Sequence, residues 1–378
     1  MIVINNVKEY DVDYNYEYDF FAQREKDFYS KFSHKSILCQ GKHWECTPLV
    51  TILITTYKRP ELLRKSLSSA LNQKGFDDYQ IIIADNEGVP IEEETPTAKV
   101  VKEYQDKKII YYRHNREAYF RECAAAQLAR SPWIIFLHDD DLLAENHLQM
   151  MTDVVKSHKE IKFLGCDMKG FNDEKKVNLS QNVDEKNYKI YKYTREGVCL
   201  GGWAGWLGAL ISRKHYIAIG GMPPVSMGIG DTAMVVVFSH HFDTYKYSGG
   251  KPLYFYRQGE QQATWLTAKD ERWKINEYFF YKYVISKYHK LTHMIYERNI
   301  AYYLFDHYKN YYMNDDIYEA DINFNFIISK CGIPVDIKKR NASYYIISTY
   351  FWLYRGLVRR FAYIWMNKIK KTDIYLAV

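Results

Sequence analysis

Three consecutive carboxylates, Asp139-Asp140-Asp141, follow directly on Trp133-Ile134-Ile135-Phe136-Leu137-His138. The residues from Trp133 to Leu137 are aromatic, β-branched or aliphatic, which suits a buried strand. Three negative charges at the end of such a strand repel one another. A divalent cation turns that cost into binding energy. Mg2+ and Mn2+ take oxygen ligands, commonly one or two protein carboxylates together with substrate phosphates. The triplet therefore reads as a metal-bridged phosphate site at a strand's carboxyl end, where open α/β sheets hold their ligands. The competing reading is an acidic turn that caps a helix beginning near Leu142.

The elements that must position the triplet start near residue 48. Leu49–Thr55 is a short β-branched run, and Pro60 with Glu61 suits the first turn of a helix. Leu62, Leu63, Leu67, Ala70 and Leu71 then recur at helical spacing. Tyr79–Asn86 is a second strand, a helix falls around Ala98–Tyr104, Lys108–Arg113 is a third strand, and Glu122–Leu128 is an Ala-rich helix before the strand at 133–137. Strands and helices alternating in this way are the pattern of a parallel sheet with crossover helices. Right-handed crossovers put all the strand ends on one rim. That rim carries Thr55–Arg59, Asp85–Asn86, Arg113–Asn115 and Asp139–Asp141, so every strand ends in polar or charged residues. A helix is expected from Leu142 to about Ser157, a strand at 161–168, a polar insertion at 171–196, a Gly- and Trp-rich stretch at 201–211, and a helix from Thr232 to about His241.

Bulk composition narrows the class. With 378 residues, 47% of them hydrophobic and 26% charged, the chain can bury a sizeable core. A net charge of +6 is too modest to imply nucleic acid. The 36 tyrosines suit either carbohydrate-stacking surfaces or a plain compositional bias. The six cysteines form no CxxC or Cys/His spacing of a zinc site, and their scatter suits a reducing compartment. No stretch supplies the ~20 apolar residues of a membrane-spanning helix.

The ordered set of motifs resembles the family 2 glycosyltransferases. The residues that carry the resemblance are Val50-Thr51-Ile52-Leu53-Ile54-Thr55-Thr56-Tyr57-Lys58-Arg59-Pro60, then Leu67, Leu71 and Gln73, then Ile83-Ala84-Asp85-Asn86 and Phe136–Asp141. Gly220-Gly221-Met222-Pro223, Gly230-Asp231 and Tyr256-Arg257 complete it. The commonest form of the acidic motif begins with Asp, where this chain has His138. The site of the base is often Glu-Asp, and here it is Gly230-Asp231. The resemblance implies a GT-A fold, that is, an α/β architecture with a Rossmann-like, mostly parallel central sheet flanked by helices. It places the catalytic domain at 48–265, with a nucleotide-binding half at 48–141 and an acceptor half at 142–265. Residues 1–47 form an N-terminal extension and 266–378 a helical, basic and aromatic C-terminal region.

What the resemblance implies chemically is an inverting, metal-dependent glycosyltransferase. It would move a sugar from a nucleoside diphosphate, UDP favoured, to a hydroxyl of a glycan or lipid-linked glycan in cell-surface polysaccharide or glycoconjugate synthesis. Thr55, Tyr57, Arg59 and Asp85 would contact the nucleotide, and Arg113 would line the same cleft or serve as a strand-end polar residue. Asp85-Asn86 is otherwise a plain Asx turn. Asp141 would ligate Mn2+ or Mg2+, with Asp139 on the metal or the donor ribose, and with Asp140 as partner in the alternative frame. Asp231 is the candidate general base, although it also starts a helix and suits an N-cap. Trp203 and Trp206 either stack on an acceptor sugar or pack in the core. The alternatives are a sugar-1-phosphate nucleotidyltransferase, which wants a glycine in the loop Thr55–Arg59, and a non-catalytic glycan-binding module on the same fold.

From Ile337 to Lys371 the chain has basic residues and no acidic ones, with Trp, Tyr, Phe and Ile between them. This pattern suits a helix lying on an anionic membrane, and equally a subdomain covering the core or a homodimer contact. The expected location is cytoplasmic, peripheral at the inner face of a bacterial cell membrane.

Overall fold

A computed structural model describes residues 35–115, 121–180, 188–193, 198, 205–222, 230–259 and 375–377. Residues 1–34 and the basic, aromatic stretch 337–371 lie outside the described residues, and so do the expected helices from Glu271 onward. Among the described residues no helix is long and apolar enough to cross a membrane.

The chain enters on β1 (Ser36–Gln40), an edge strand in a stretch that the sequence presents as an extension without period. β2 (Val50–Thr56) follows, buried along its whole length. α1 (Pro60–Leu71) has Pro60 in its first turn and buries Leu63, Leu67 and Ala70, as helical spacing predicts. Next come β3 (Tyr79–Asp85), α2 (Pro96–Lys102), β4 (Ile109–His114), α3 (Arg121–Leu128) and β5 (Trp133–His138). α2 is capped by the Thr95 hydroxyl, which accepts from the Ala98 amide.

β2, β3, β4 and β5 are mutually parallel in the order β4-β3-β2-β5, with β1 antiparallel on the outer edge of β4. Register aligns their carboxyl ends. Thr56 sits opposite Asp85, Asp85 opposite Arg113, and Thr55 opposite His138. Both faces of this sheet are covered, so its strands read as continuous apolar runs. Alternate residues of β2 point to opposite faces. Ile52 and Ile54 pack with α1, and Leu53 packs with Ala125 of α3 on the other side. Each such buried side chain contributes roughly 1.5–3 kcal/mol.

After the triplet the chain does not enter a helix at once. Leu142 and Leu143 form β6, and α4 spans His147–Ser157. The expected helix start at Leu142 is thus displaced by five residues, because these two leucines pair with a later strand. The triplet consequently caps no helix. The strand expected at 161–168 is two strands, β7 (Phe163–Gly165) and β8 (Met168–Phe171), which belong to different sheets. The polar insertion contains β9 (Lys189–Tyr193). β10 (Leu210–Ser212), α5 (Arg213–Ala218), α6 (Gly230–His241), β11 (Thr244–Ser248), β12 (Tyr254–Arg257) and β13 (Tyr375–Ala377) complete the described elements. β10 pairs antiparallel with β5 and extends the main sheet through β7, β11, β9 and β13. The smaller sheet, β6-β12-β8, brings Tyr254 and Arg257 back to the segment that follows the triplet.

Candidate active site

The three aspartates divide into two environments. Asp139 turns toward the loop between β2 and α1. Its Oδ2 accepts from the Thr56 hydroxyl at 2.8 Å and from the Tyr57 amide at 3.4 Å. Its Oδ1 lies 3.5 Å from Arg59 Nη1. The loop turns at Lys58, whose φ of 56° is left-handed for a residue with a Cβ. Such a backbone costs on the order of 1 kcal/mol and persists only where neighbours hold it. Asp139 is one of those neighbours.

Asp140 and Asp141 gather with His138 instead. One donor atom from each of His138, Asp140 and Asp141 lies within 4.8 Å of the others. Asp141 is fully buried, accepting from the Tyr254 hydroxyl at 2.6 Å and from the Arg257 amide at 2.7 Å. His138 Nδ1 is 3.5 Å from Asp141 Oδ2. Arg59 Nη1 reaches Asp140 at 3.1 Å, and Arg257 Nε donates to the Asp140 carbonyl at 2.8 Å. Burial and the neighbouring Asp141 charge push the Asp140 carboxyl up. Burial alone would lower His138, but its bond to Asp141 and the charges of Asp141 and Asp140 outweigh it and raise the imidazole to about 9. This is a site under negative potential, holding one nitrogen and two carboxylates. That donor chemistry fits a divalent cation.

Tyr254 reaches Asp141 only because residue 208 is a glycine. Gly208 has φ 68°, and a Cβ there would stand 2.5 Å from the Tyr254 ring. Behind the triplet, Gln73 clasps α1 to the α4 entrance. It donates to the Ala144 carbonyl at 2.9 Å and accepts from the Leu148 amide at 3.0 Å. This gives a physical reason for a buried Gln at the end of α1.

On the adjoining strand end, Asp85 accepts from the Tyr111 hydroxyl at 2.6 Å and from the Glu87 amide at 3.0 Å. The second bond is the Asx turn foreseen in the sequence. Burial raises the Asp85 carboxyl above its ordinary range. Arg113 is spent on the loop that follows β3. Its guanidinium donates to the carbonyls of Ile91 at 3.0 Å, Glu93 at 2.9 Å and Pro90 at 3.3 Å. It is a strand-end clamp on that loop. The Thr55 hydroxyl donates to Glu122 at 3.5 Å.

Asp231 lies in the first turn of α6 and accepts from Trp206 Nε1 at 3.1 Å. Its other oxygen accepts from the Thr232 amide at 2.7 Å. Burial pushes its carboxyl up, while the Thr232 amide, the positive His138 and Trp206 pull it down. Trp206 is 5% exposed, with its ring 5.8 Å from Phe136 and 5.2 Å from the His138 ring. Of its two sequence readings, core packing describes its surroundings, and its nitrogen adds a role in holding Asp231. Trp203 lies outside the described residues.

Sequence reasoning passed over Tyr254, Glu174 and the indole bond of Trp206, and gave Thr56 no role beyond its place in the first motif. Glu174 bridges Arg257 Nη2 at 3.0 Å and Lys65 Nζ at 2.6 Å. Arg257 carried a signal as part of the Tyr256-Arg257 motif, and Thr56 as part of the run from Val50 to Pro60.

Parallel strands whose ends converge on an acidic cluster, followed by a mixed extension of the sheet, define an α/β domain with its candidate site on the carboxyl rim. Residues 51–210 match the glycosyl transferase family 2 profile, and the fold is of the GT-A type. An uncharacterised glycosyltransferase of Methanocaldococcus jannaschii is 31% identical over 122 residues, which are 31% of this chain and 40% of that protein. The match thus spans less than half of that relative's length. Two crystal structures of TarS residues 1–349 from S. aureus are similar in fold. The complex with UDP-GlcNAc has a TM-score of 0.54 at 12% identity, covering 75% of this chain and 80% of that one. The complex with UDP has a TM-score of 0.52 at 13% identity, covering 84% and 91%.

Proposed function

We propose that this protein is an inverting, metal-dependent glycosyltransferase. It moves a sugar from a nucleoside diphosphate donor, with UDP favoured, to a hydroxyl of a glycan acceptor in cell-surface polysaccharide or glycoconjugate synthesis. The observation that carries this reading is the gathering of Thr56, Asp85 and the His138–Asp141 segment on one rim of a family 2 domain. The UDP and UDP-GlcNAc complexes of TarS support the choice of donor.

Each residue has a task that follows from its chemistry. Asp140 and Asp141, with His138 beside them, hold the cation. When bound, a divalent cation supplies charge neutralisation for the departing diphosphate. Asp139 fixes the loop carrying Tyr57 and Arg59, which lie against the nucleotide, and offers an oxygen to the donor ribose. Thr55 sits beside it at the end of β2. Asp85 accepts from an N–H on the base's pairing edge, and Arg113 keeps the loop beside Asp85 closed. Asp231 accepts the proton of the acceptor hydroxyl on the face opposite the leaving group. Its raised pKa makes it a stronger base than an exposed carboxylate, and the Trp206 indole fixes its orientation. Trp203 stacks on the acceptor sugar. The basic, aromatic stretch 337–371 rests on the anionic inner leaflet, where a lipid-linked acceptor would be found.

A thermal-shift screen of UDP-, GDP-, CMP- and dTDP-sugars with Mn2+ tests the donor. A ligand at ~100 times its dissociation constant adds ~2.7 kcal/mol to stability, so a UDP-sugar should raise the midpoint clearly. If no nucleotide sugar shifts it, the reading is wrong.

A further inference from the structure

The triplet's neighbour is a histidine, and its placement bears on which cation the site takes. We infer that the His138 imidazole is a direct metal ligand alongside Asp140 and Asp141, so that the site prefers Mn2+ and Co2+ to Mg2+. This rests on the metal-dependent glycosyltransferase reading above and deepens it.

Three observations carry it. The first is distance. The donor atoms of His138, Asp140 and Asp141 lie within 4.8 Å of one another, and His138 Nδ1 is 3.5 Å from Asp141 Oδ2. Donors sharing one ion through ~2.1 Å bonds stand roughly 3–4 Å apart, so the cluster closes on an ion through small side-chain adjustments. The second is preorganisation. His138 is the last residue of β5, locked in register opposite Thr55. Its amide donates to the Tyr254 hydroxyl at 3.4 Å, and its ring meets the Trp206 indole edge-on at 5.2 Å. A strand-end residue fixed at its backbone, with its ring set between Trp206 and Asp141, differs from a surface histidine free to rotate away. The third is the division among the aspartates. Asp139 faces Thr56, Tyr57 and Arg59, which leaves one nitrogen and two carboxylates as the converging set.

Ligand type sets metal preference. Mg2+ demands oxygen ligands and keeps much of its water, whereas imidazole suits first-row transition ions, whose affinity rises from Mn2+ to Co2+. A nitrogen in place of a carboxylate oxygen therefore lowers affinity for Mg2+ relative to Mn2+ and Co2+.

Two measurements on the full chain, free of any affinity tag and without donor, test this. Electron spin echo modulation of the Mn2+-loaded wild type should show coupling to a 14N nucleus, and the coupling should vanish in His138→Asp. Calorimetric titration should give Mn2+ and Co2+ affinities at least ~10-fold above Mg2+, with the ratio falling toward unity in His138→Asp. Absence of 14N coupling in the wild type overturns the inference, whether or not the variant folds. So does His138→Ala binding Mn2+ within about twofold of wild type. Because no donor is present, these results stand apart from the function itself. Nitrogen coupling without donor binding would sink the glycosyltransferase reading alone, and donor binding without nitrogen coupling would sink this inference alone.

Discussion

Asp139→Ala and Asp140→Ala should separate bracing from ion binding. Asp139 is 6% exposed, and Thr56, whose hydroxyl it accepts, is fully buried. Removing the carboxylate takes away the acceptor that the Thr56 hydroxyl and the Tyr57 amide share, and bonds to a charged acceptor are worth roughly 1.5–3 kcal/mol each. The Arg59 contact adds little, because that side chain is 27% exposed and keeps Asp140 at 3.1 Å. The expected loss of stability is about 2–4 kcal/mol. Asp140 differs. Burial and the Asp141 charge already disfavour its ionised form, so removing it relieves repulsion as it breaks one ion pair. Its loss should leave stability within ~1 kcal/mol. Urea unfolding in EDTA reads the first effect and calorimetric Mn2+ titration the second. Asp139→Ala should unfold early and keep Mn2+ affinity within a few-fold. Asp140→Ala should unfold near wild type and lose affinity ~100-fold. Equal loss of Mn2+ affinity in both variants, or early unfolding of Asp140→Ala alone, would refute this division.

Three further predictions concern Asp231, Trp206 and His147. Asp231→Asn should lower transfer ~100-fold or more with the donor KM unchanged. Trp206→Phe keeps the ring against Phe136 and His138 but removes the donor to Asp231. It should lower kcat roughly tenfold and move the acid limb of kcat/KM to higher pH, since that bond favours the charged carboxylate. His147 is fully buried, its Nδ1 on the Leu253 carbonyl at 3.1 Å, and desolvation depresses it to about 4. The unfolded chain takes up this proton near 6.5 and the folded one does not. Stability is therefore intact above pH 6.5 and falls as pH drops toward 4, by roughly 2 kcal/mol between pH 7.5 and 5. Urea midpoints of His147→Leu across that range should lack this share of the slope; an unchanged slope would refute the assignment.

Much of the segment 48–141 was legible in sequence because its signals are local. β2 and β3 are apolar runs of strand length, α1 has Pro60 and an apolar stripe, and each strand ends in polar residues. The later elements were harder. Leu142–Leu143 carries no sign of being a strand, since its partner Tyr254–Phe255 lies over a hundred residues away. Without that pairing the stretch reads as the first turn of α4. The same distance hides Tyr254 and Arg257 from any local reading of the triplet. Trp206 shows the opposite limit. Its type suggested a sugar platform, yet it is 5% exposed with its nitrogen on Asp231, and a spacing pattern reports neither burial nor direction. Arg113 likewise has the chemistry of a phosphate ligand, but three loop carbonyls take up its guanidinium.

The central claim is that this rim holds a nucleotide sugar through a metal and activates it for transfer. Release of UDP from UDP-sugars, followed with Mn2+ in wild type and in Asp141→Ala, tests it most directly. The account predicts metal-dependent release by wild type with at least one UDP-sugar, and its loss together with nucleotide affinity in Asp141→Ala. No release from any UDP-sugar by wild type, with UDP affinity unchanged in Asp141→Ala, would contradict it.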